Sequence, residues 1–449
     1  MDEVLLDVLM LVTTDVAHDS RVVREAAALA GAGHTVHVQG REVPAGWAPP
    51  GGLFTVGSSS GGRGLRPPRA PGLGGQPQGD RVGEAPEAVR RGPGWLWRAV
   101  RWWLLPRHRR QVWAAWSRAA VAELRERRFD VVHAHDFNTL PTAARLAREY
   151  GALLVYDSHE WWSGRQRHGR PAPLERLRDR RLEVELTGRA DAVVTVGEGI
   201  AGRLERWATG PVTVVRNTFP ALPPATGAEE VPLPSAPKGM VYAGRIGAGR
   251  DLETVLAGAA AQQSAVVLVG PADEAYAARL ARAEGGDLEL LAPRPVDAVD
   301  GLLRRYGLAV VALTDSCENH RLALPNKLFH AVRAGVPVVA ADLPELRGTV
   351  LRYDLGELYR PGDPGSFRAA VDRVEGRYPE LLRSVAAARA ELAWEQDARR
   401  LVALYGTLAA ARQSPGEPPV DRPAASRRAA SRRATARREG ARPPAGDRA

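Results

Sequence analysis

The stretch "LALPNKLFHAVRAGVPVVAAD", residues 322–342, holds the side chains whose placement most needs a chemical reason. Pro325 pre-sets a turn, "NKLFHAVRA" has helical composition, and Gly335 ends the helix before the buried strand "VPVVAA". Asn326 and Lys327 lie four and three residues before His330, so each shares a helix face with it. Lys327 stands in the first turn, where the helix dipole makes a cation unfavourable by about 0.3–1 kcal/mol. A bound anion would reverse that sign, because the lysine and the helix amides would then hold the same negative group. Taken alone, the stretch also permits a lysine that simply bends into solvent.

A second basic helix start stands beside it in the argument. "VYAGRIGAGRDLETVL" reads as a strand, a Gly-containing loop and a helix opening. Gly244, Gly247 and Gly249 let backbone approach a ligand, while Arg245 and Arg250 bring positive charge to the same turn. The glycines do not fit G-x-G-x-x-G and no Gly-Lys-Ser/Thr follows, so dinucleotide and P-loop readings both fail. A plain turn with two solvated arginines is the alternative. Two basic helix starts in one half of the chain favour a diphosphate held by Arg245, Arg250 and Lys327.

The first half offers polar clusters instead. "FDVVHAHDFNTL" ends a strand with His133, His135 and Asp136, and "LLVYDSHEWW" ends another with Asp157, His159 and Glu160. His133 and His135 alternate onto one strand face, which permits metal coordination with His159 or Glu160. No HExxH and no paired cysteines accompany them, so a metal is the weaker reading. Hydrogen bonding to a polyhydroxy substrate is the favoured use of this cluster, and packing is the bland one.

Elements of matching rhythm must position these residues. Short β-branched runs such as "VLMLVT", "HTVHVQ", "GMVYAG" and "AVVLVG" alternate with helix-like segments such as "SRVVREAAALAGAG" and "DLETVLAGAAAQ". That alternation implies an α/β fold of βαβ units with parallel sheets. The strands are too many for one doubly wound sheet, so the chain divides into two Rossmann-like domains. The expected boundaries are an amino-terminal domain over 1–216, a linker over 217–239, a carboxy-terminal domain over 240–391 and a closing helix over 392–411. Within the first domain, 41–94 reads as a Gly/Pro-rich mobile insertion and 95–120 as a Trp/Arg-rich helix. The tail 412–449 has no apolar face and reads as disordered.

Composition narrows the classes. A length of 449 residues exceeds one core, and the single cysteine, Cys317, excludes an internal disulfide framework. The start "MDEVLLDVLMLVTTD" reads as a first strand rather than a signal peptide, and no run spans a bilayer. A cytoplasmic protein is expected. Of the net charge of +10, half falls after residue 413, where nine arginines face four acids. Much of the rest lies in the Trp/Arg segment, so the folded body without these two stretches is near neutral, and nucleic acid is not an expected partner. "GWLWRAVRWWLLPRHRRQVWAAW" packs six tryptophans among arginines, a mixture suited to a membrane interface or to packing on the first domain.

The motifs "DSRVVREAAALAGAGHTVHV", "FDVVHAHDFNTLPTAARLA", "VYDSHE", "GRIGAGRDLETVL" and "LPNKLFHAVRAGVPVVAAD" resemble the landmarks of glycosyltransferase family 4. The resemblance runs from about residue 4 to 411, apart from the 41–94 excursion. It implies the GT-B fold, in which two Rossmann-like domains face a cleft and a last helix crosses back to the first domain. It also implies a retaining enzyme with a nucleotide-sugar donor and no cofactor or metal, and the Trp/Arg segment points to a glycan or lipid-linked acceptor. By the same resemblance Arg245 and Arg250 match the basic pair on the donor diphosphate, and His135 matches the histidine facing the donor sugar. Gly244, Gly247, Asn326 and His330 fall on the donor side, and Asp157, His159 and Glu160 border the acceptor crevice. One departure stands out: where the family commonly carries two glutamates with seven residues between them, this chain has Leu322 and His330. A neutral imidazole accepts one hydrogen bond where a carboxylate accepts several. That motivates a second class, a non-catalytic GT-B protein binding a glycan or partner, and behind it a nucleotide-sugar epimerase.

Overall fold

The computed structural model describes residues 4–59, 111–165, 173–222, 231–283 and 287–413. Two all-parallel sheets account for the strands. The first contains β1 (Asp7–Leu11), β2 (Thr35–Gly40), β3 (Thr55–Ser58), β4 (Val131–His135), β5 (Leu153–Ser158), β6 (Ala192–Thr195) and β7 (Val212–Val214), in the order 3-2-1-4-5-6-7. The second contains β8 (Met240–Ala243), β9 (Val266–Val269), β10 (Leu288–Leu291), β11 (Ala309–Val311), β12 (Val338–Ala341) and β13 (Gly356–Tyr359), in the order 10-9-8-11-12-13. Each order reverses once, between β1 and β4 and between β8 and β11. Ligand crevices in such sheets open beyond the strand ends at that reversal.

Helices alternate with these strands. In the first half they are α1 (Ser20–Gly31), α2 (111–124), α3 (Asp136–Tyr150), α4 (Pro173–Thr187) and α5 (Glu198–Leu204). In the second they are α6 (Leu252–Ala260), α7 (Glu274–Ala283), α8 (Val296–Tyr306), α9 (Glu318–Arg321), α10 (Asn326–Ala334), α11 (Pro344–Tyr353), α12 (Pro364–Ala388) and α13 (Trp394–Gln413). The sheets are buried on both faces, so their strands read as continuous apolar runs: β6, β9 and β12 are buried throughout. One face of the first sheet packs under α2 and α3, the other under α1 and α13.

The last helix crosses back. Trp394, Leu401, Leu404, Tyr405 and Leu408 of α13 belong to the core of the first domain, and Asp397 forms a buried pair with Arg216 at 3.1 Å. Two details add to the sequence reading. Thr55–Ser58, inside the Gly/Pro-rich stretch, adds strand β3 to the sheet edge, while 60–94 lies outside the described residues. Of the Trp/Arg segment, 111–124 is helical, with Trp116 buried and Trp113 packed on the core, so these two rings serve the fold; 95–110 lies outside the described residues. The tail from 414 onward does too.

Candidate active site

The basic loop between β8 and α6 is held from several sides. Tyr242 Oη donates to the Arg245 carbonyl at 2.9 Å, and the Ile246 amide donates to Pro271 O at 2.9 Å. Asp251, in the left-handed region at φ 55°, accepts from Thr254 Oγ1, Tyr359 Oη and the Gly362 amide at 2.7, 2.9 and 3.2 Å. A rigid loop of this kind can hold a ligand without first paying to become ordered. Gly247 is buried, Arg250 is partly buried and Arg245 is exposed.

Lys327 meets that loop. Its ammonium lies 4.9 Å from the centroid of the Tyr242 ring. A β-carbon on Gly244 would come within 2.6 Å of Lys327 Cε and 3.1 Å of Nζ, so glycine is what admits the lysine. Burial and then the neighbouring Arg250 push the lysine down to about 7. Removing water and adding like charge both disfavour the ammonium. The first turn of α10 has no side-chain cap at Pro325. Lysine, arginine and uncapped helix amides thus converge with no carboxylate among them, an arrangement that an anion would satisfy.

His330 is placed differently from its helix neighbours. Its Nε2 sits 2.9 Å from Asp300 Oδ1 on α8, its ring packs 4.7 Å from Phe219, and Arg333 also binds Asp300. Leu322 is 7% exposed and joins the apolar core of the first domain across the cleft. Asn326 is exposed on the rim of the interdomain cavity.

In the first domain, the polar residues gather around Asp157. Arg21 on α1 grips this buried carboxylate with Nη2 at 3.0 and 3.1 Å and Nε at 3.2 Å, and also reaches Glu25 at 2.9 Å. His159 Nε2 approaches Asp157 Oδ2 at 3.0 Å and His135 Nδ1 approaches it at 3.2 Å. His133 hydrogen-bonds through Nδ1 with Tyr405 Oη of α13 at 2.8 Å. Burial opposes ionisation of Asp157, but Arg21 and His159 outweigh it and hold the carboxyl well below its usual range. For His159 burial is again overcome, by Asp136 and Asp157, and the ring is pushed up to about 10. Glu25, by contrast, is pushed up to about 8, mainly by burial, and His135 down to about 3, by burial and His133. A charged core of Arg21, Asp157 and His159 results, flanked by a neutral carboxyl and neutral imidazoles.

The donor atoms of Glu25, His133, His135 and Asp157 lie within 4.8 Å of one another, a spacing that could hold a metal ion. The Arg21 guanidinium already contacts both carboxyl groups at 2.9 and 3.0 Å, so a cation held by them would face a full positive charge close by. The geometry fits a paired network better than a metal centre.

Between the domains lies a cavity of ≈ 200 Å³ lined by Asp19, Arg21, His159, Glu160, Asn217, Asn319, Leu324 and Asn326, among others. His159 and Glu160 reach it, whereas His135 is 1% exposed behind His159 with Nε2 unpaired. Contacts span the cleft: Trp161 donates from Nε1 to Glu318 at 2.9 Å and from its amide to Asn319 Oδ1 at 2.7 Å, and the Gly199 amide donates to Glu345 at 2.8 Å. Asp19, Arg21, Asn217 and Asn319 were not singled out from sequence. The signal for Arg21 was there, since Arg21 and Glu25 are spaced by four on the helix face that also buries Val22, Ala26 and Leu29.

This two-sheet architecture, with its returning helix, is the GT-B fold. Solved structures match it along nearly the whole chain: a sucrose-phosphate synthase from Thermosynechococcus elongatus has TM-score 0.66 at 16% identity, covering 90% of this chain and 100% of that one. HepE of Anabaena, solved with UDP-glucose, has TM-score 0.58 at 15% identity, covering 91% and 99%. The lipopolysaccharide outer core galactosyltransferase WaaB, solved in its apo form, has TM-score 0.54 at 12% identity, covering 89% and 99%. More particularly, residues 20–220 match the model of Glycosyltransferase Family 4, so the resemblance read from the motifs is shown over those residues. No curated protein matches the chain.

Proposed function

We propose that the chain transfers a sugar from a nucleoside diphosphate to a hydroxyl acceptor with retention of configuration. The observation that carries this reading is the convergence of Lys327, Gly244 and Arg250 at an uncapped helix start. Charge develops on the diphosphate as the glycosidic bond breaks, and Arg245, Arg250, Lys327 and the α10 amides would stabilise it without a resident metal. HepE was solved with UDP-glucose, which supports a nucleotide-sugar donor here. His135, buried behind His159, would orient the donor sugar once cleft motion uncovers its unpaired nitrogen, and Asp157 would hold that ring. His159 and Glu160 would border the acceptor, an envelope or lipid-linked glycan met at the cytoplasmic membrane face, with peripheral contact through 95–120. Closing the cleft would exclude water and limit donor hydrolysis.

A second reading rests on Leu322 and His330. Leu322 packs into apolar core and His330 is engaged with Asp300, so neither position offers the donor the hydrogen-bond acceptor that a glutamate would. A non-catalytic GT-B protein binding a glycan or a partner subunit would tolerate both. The test is incubation of the intact protein with labelled UDP- and GDP-sugars and membrane glycolipid, reading the label in the acceptor and the anomeric configuration by NMR. Transfer with retention that is lost in Arg250→Ala supports the proposal. Binding without turnover supports the second reading, and conversion of free donor alone would indicate an epimerase.

A further inference from the structure

We infer that α4 carries a docking face for an anionic lipid surface. Its sequence, "PLERLRDRRLEVELT", sets leucines among arginines, and the fold decides which way they point. Asp179, Glu183, Leu186 and Thr187 are buried, so their side of the helix faces the domain. Leu174 and Leu177 lie on the opposite side and are 76% and 46% exposed, the first being the most exposed large apolar residue among those described. Arg176, Arg180 and Arg181 are exposed on the same helix. Two outward leucines, with Arg178 and Arg181 on their side of the helix, Arg180 at its edge and one exposed acid, Glu185, beside them, have no role in the core. They match a surface offering acyl chains beneath negative headgroups.

The position of α4 adds to this. The Ser163 hydroxyl donates to Glu183, which ties α4 to the short turn Trp162–Gly164. Trp161, just before that turn, reaches across the cleft to Glu318 and Asn319. With Glu183 on the buried side, this tie anchors α4 beside the cleft-flanking turn and leaves the leucine face turned outward, toward a membrane that would carry the acceptor. Only the nature of that acceptor rests on the transfer reading; docking itself needs no donor. With Trp113 and Trp116 turned inward, α4 takes over the outward apolar role that the Trp/Arg segment suggested for α2.

The test is co-sedimentation of the full chain with vesicles of phosphatidylglycerol and phosphatidylcholine, against phosphatidylcholine alone. Expected is salt-sensitive binding to the anionic vesicles. The double variant Leu174→Ser/Leu177→Ser should lower partitioning at least about tenfold, the lower bound for burying one leucine. Arg180→Glu/Arg181→Glu should lower it by about fivefold or more for each arginine lost. Leu174→Trp/Leu177→Trp should retain or strengthen binding, which a merely structural effect would not do. Unchanged partitioning in the serine pair, with an unchanged melting curve, overturns the inference. So does sedimentation velocity in which that pair alters self-association while vesicle binding persists, since the face would then meet a second copy. Loss of vesicle binding with transfer intact, or the reverse, separates this inference from the proposed activity.

Discussion

Replacing Gly244 by alanine tests the basic site through one methyl group. The new β-carbon would stand 2.6 Å from Lys327 Cε. Carbon contacts settle at roughly 3.5–4.0 Å, so the lysine must retreat by about 1 Å. The end of a lysine chain moves easily, but it moves away from Tyr242 and from the place where the diphosphate is proposed to sit. Gly244 also has φ 149°, where a side chain is strained. That strain should cost about 1–3 kcal/mol and appear as lower thermal stability. Losing one charge-assisted hydrogen bond is worth about 1.5–3 kcal/mol, which corresponds to about 10- to 150-fold weaker binding. Calorimetric titration with UDP and GDP should therefore show Gly244→Ala and Lys327→Ala weakened by similar factors. The double variant should be scarcely worse than either, because both act on the same ammonium. Additive effects, or a Gly244→Ala protein that binds like wild type, would refute the placement of Lys327 at the ligand.

Other consequences follow from the same geometry. With Lys327 held down to about 7, nucleoside diphosphate affinity should fall as pH rises above 7, by up to about tenfold per unit, and Lys327→Arg should flatten the profile. His159 is raised above its ordinary value, so its stabilisation is complete below about pH 6.5 and lost as pH climbs through about 10; the melting temperature should drop across that window, with less slope in His159→Gln. Arg21→Met strips the buried Asp157 of its partner and should cost about 3–5 kcal/mol in denaturant unfolding. His330→Glu would bring a second carboxylate to Asp300, so it should lower stability and fail to raise nucleotide affinity unless paired with Asp300→Asn. Higher affinity from His330→Glu alone, without loss of stability, would mean the Asp300 pairing does not govern this position.

Much of the fold is legible because buried parallel strands leave strong apolar runs. Eleven of the 13 strands among the described residues coincide with such runs; the two that do not, β3 and β13, are sheet edges with the short polar-bearing sequences "TVGS" and "GELY". An edge strand is paired on one side only and needs less apolar surface, so its pattern is faint. The basic loop was readable because Gly244, Arg245 and Arg250 are local in sequence, and Lys327 because it breaks the dipole rule. The network around Asp157 was not readable as a network. Arg21 and Asp157 are separated by 136 residues, and His133 and Tyr405 by 272. Nothing local foretells such pairings; only the placing of two charges on the buried face of α1 hints that partners exist. His330 shows the same limit from the other side, since its neighbours Asp300 and Phe219 come from another helix and from the interdomain segment.

The central claim is that Arg250 and Lys327 bind the diphosphate of a nucleotide donor. Its most direct test is calorimetric titration of the intact chain with UDP and GDP, repeated on Arg250→Ala. The account predicts saturable binding of one of the two nucleotides, weakened at least about tenfold in the variant, the loss expected for one charged hydrogen bond. Equal affinity in wild type and Arg250→Ala, or no binding of either nucleotide by a folded wild-type protein, would contradict it.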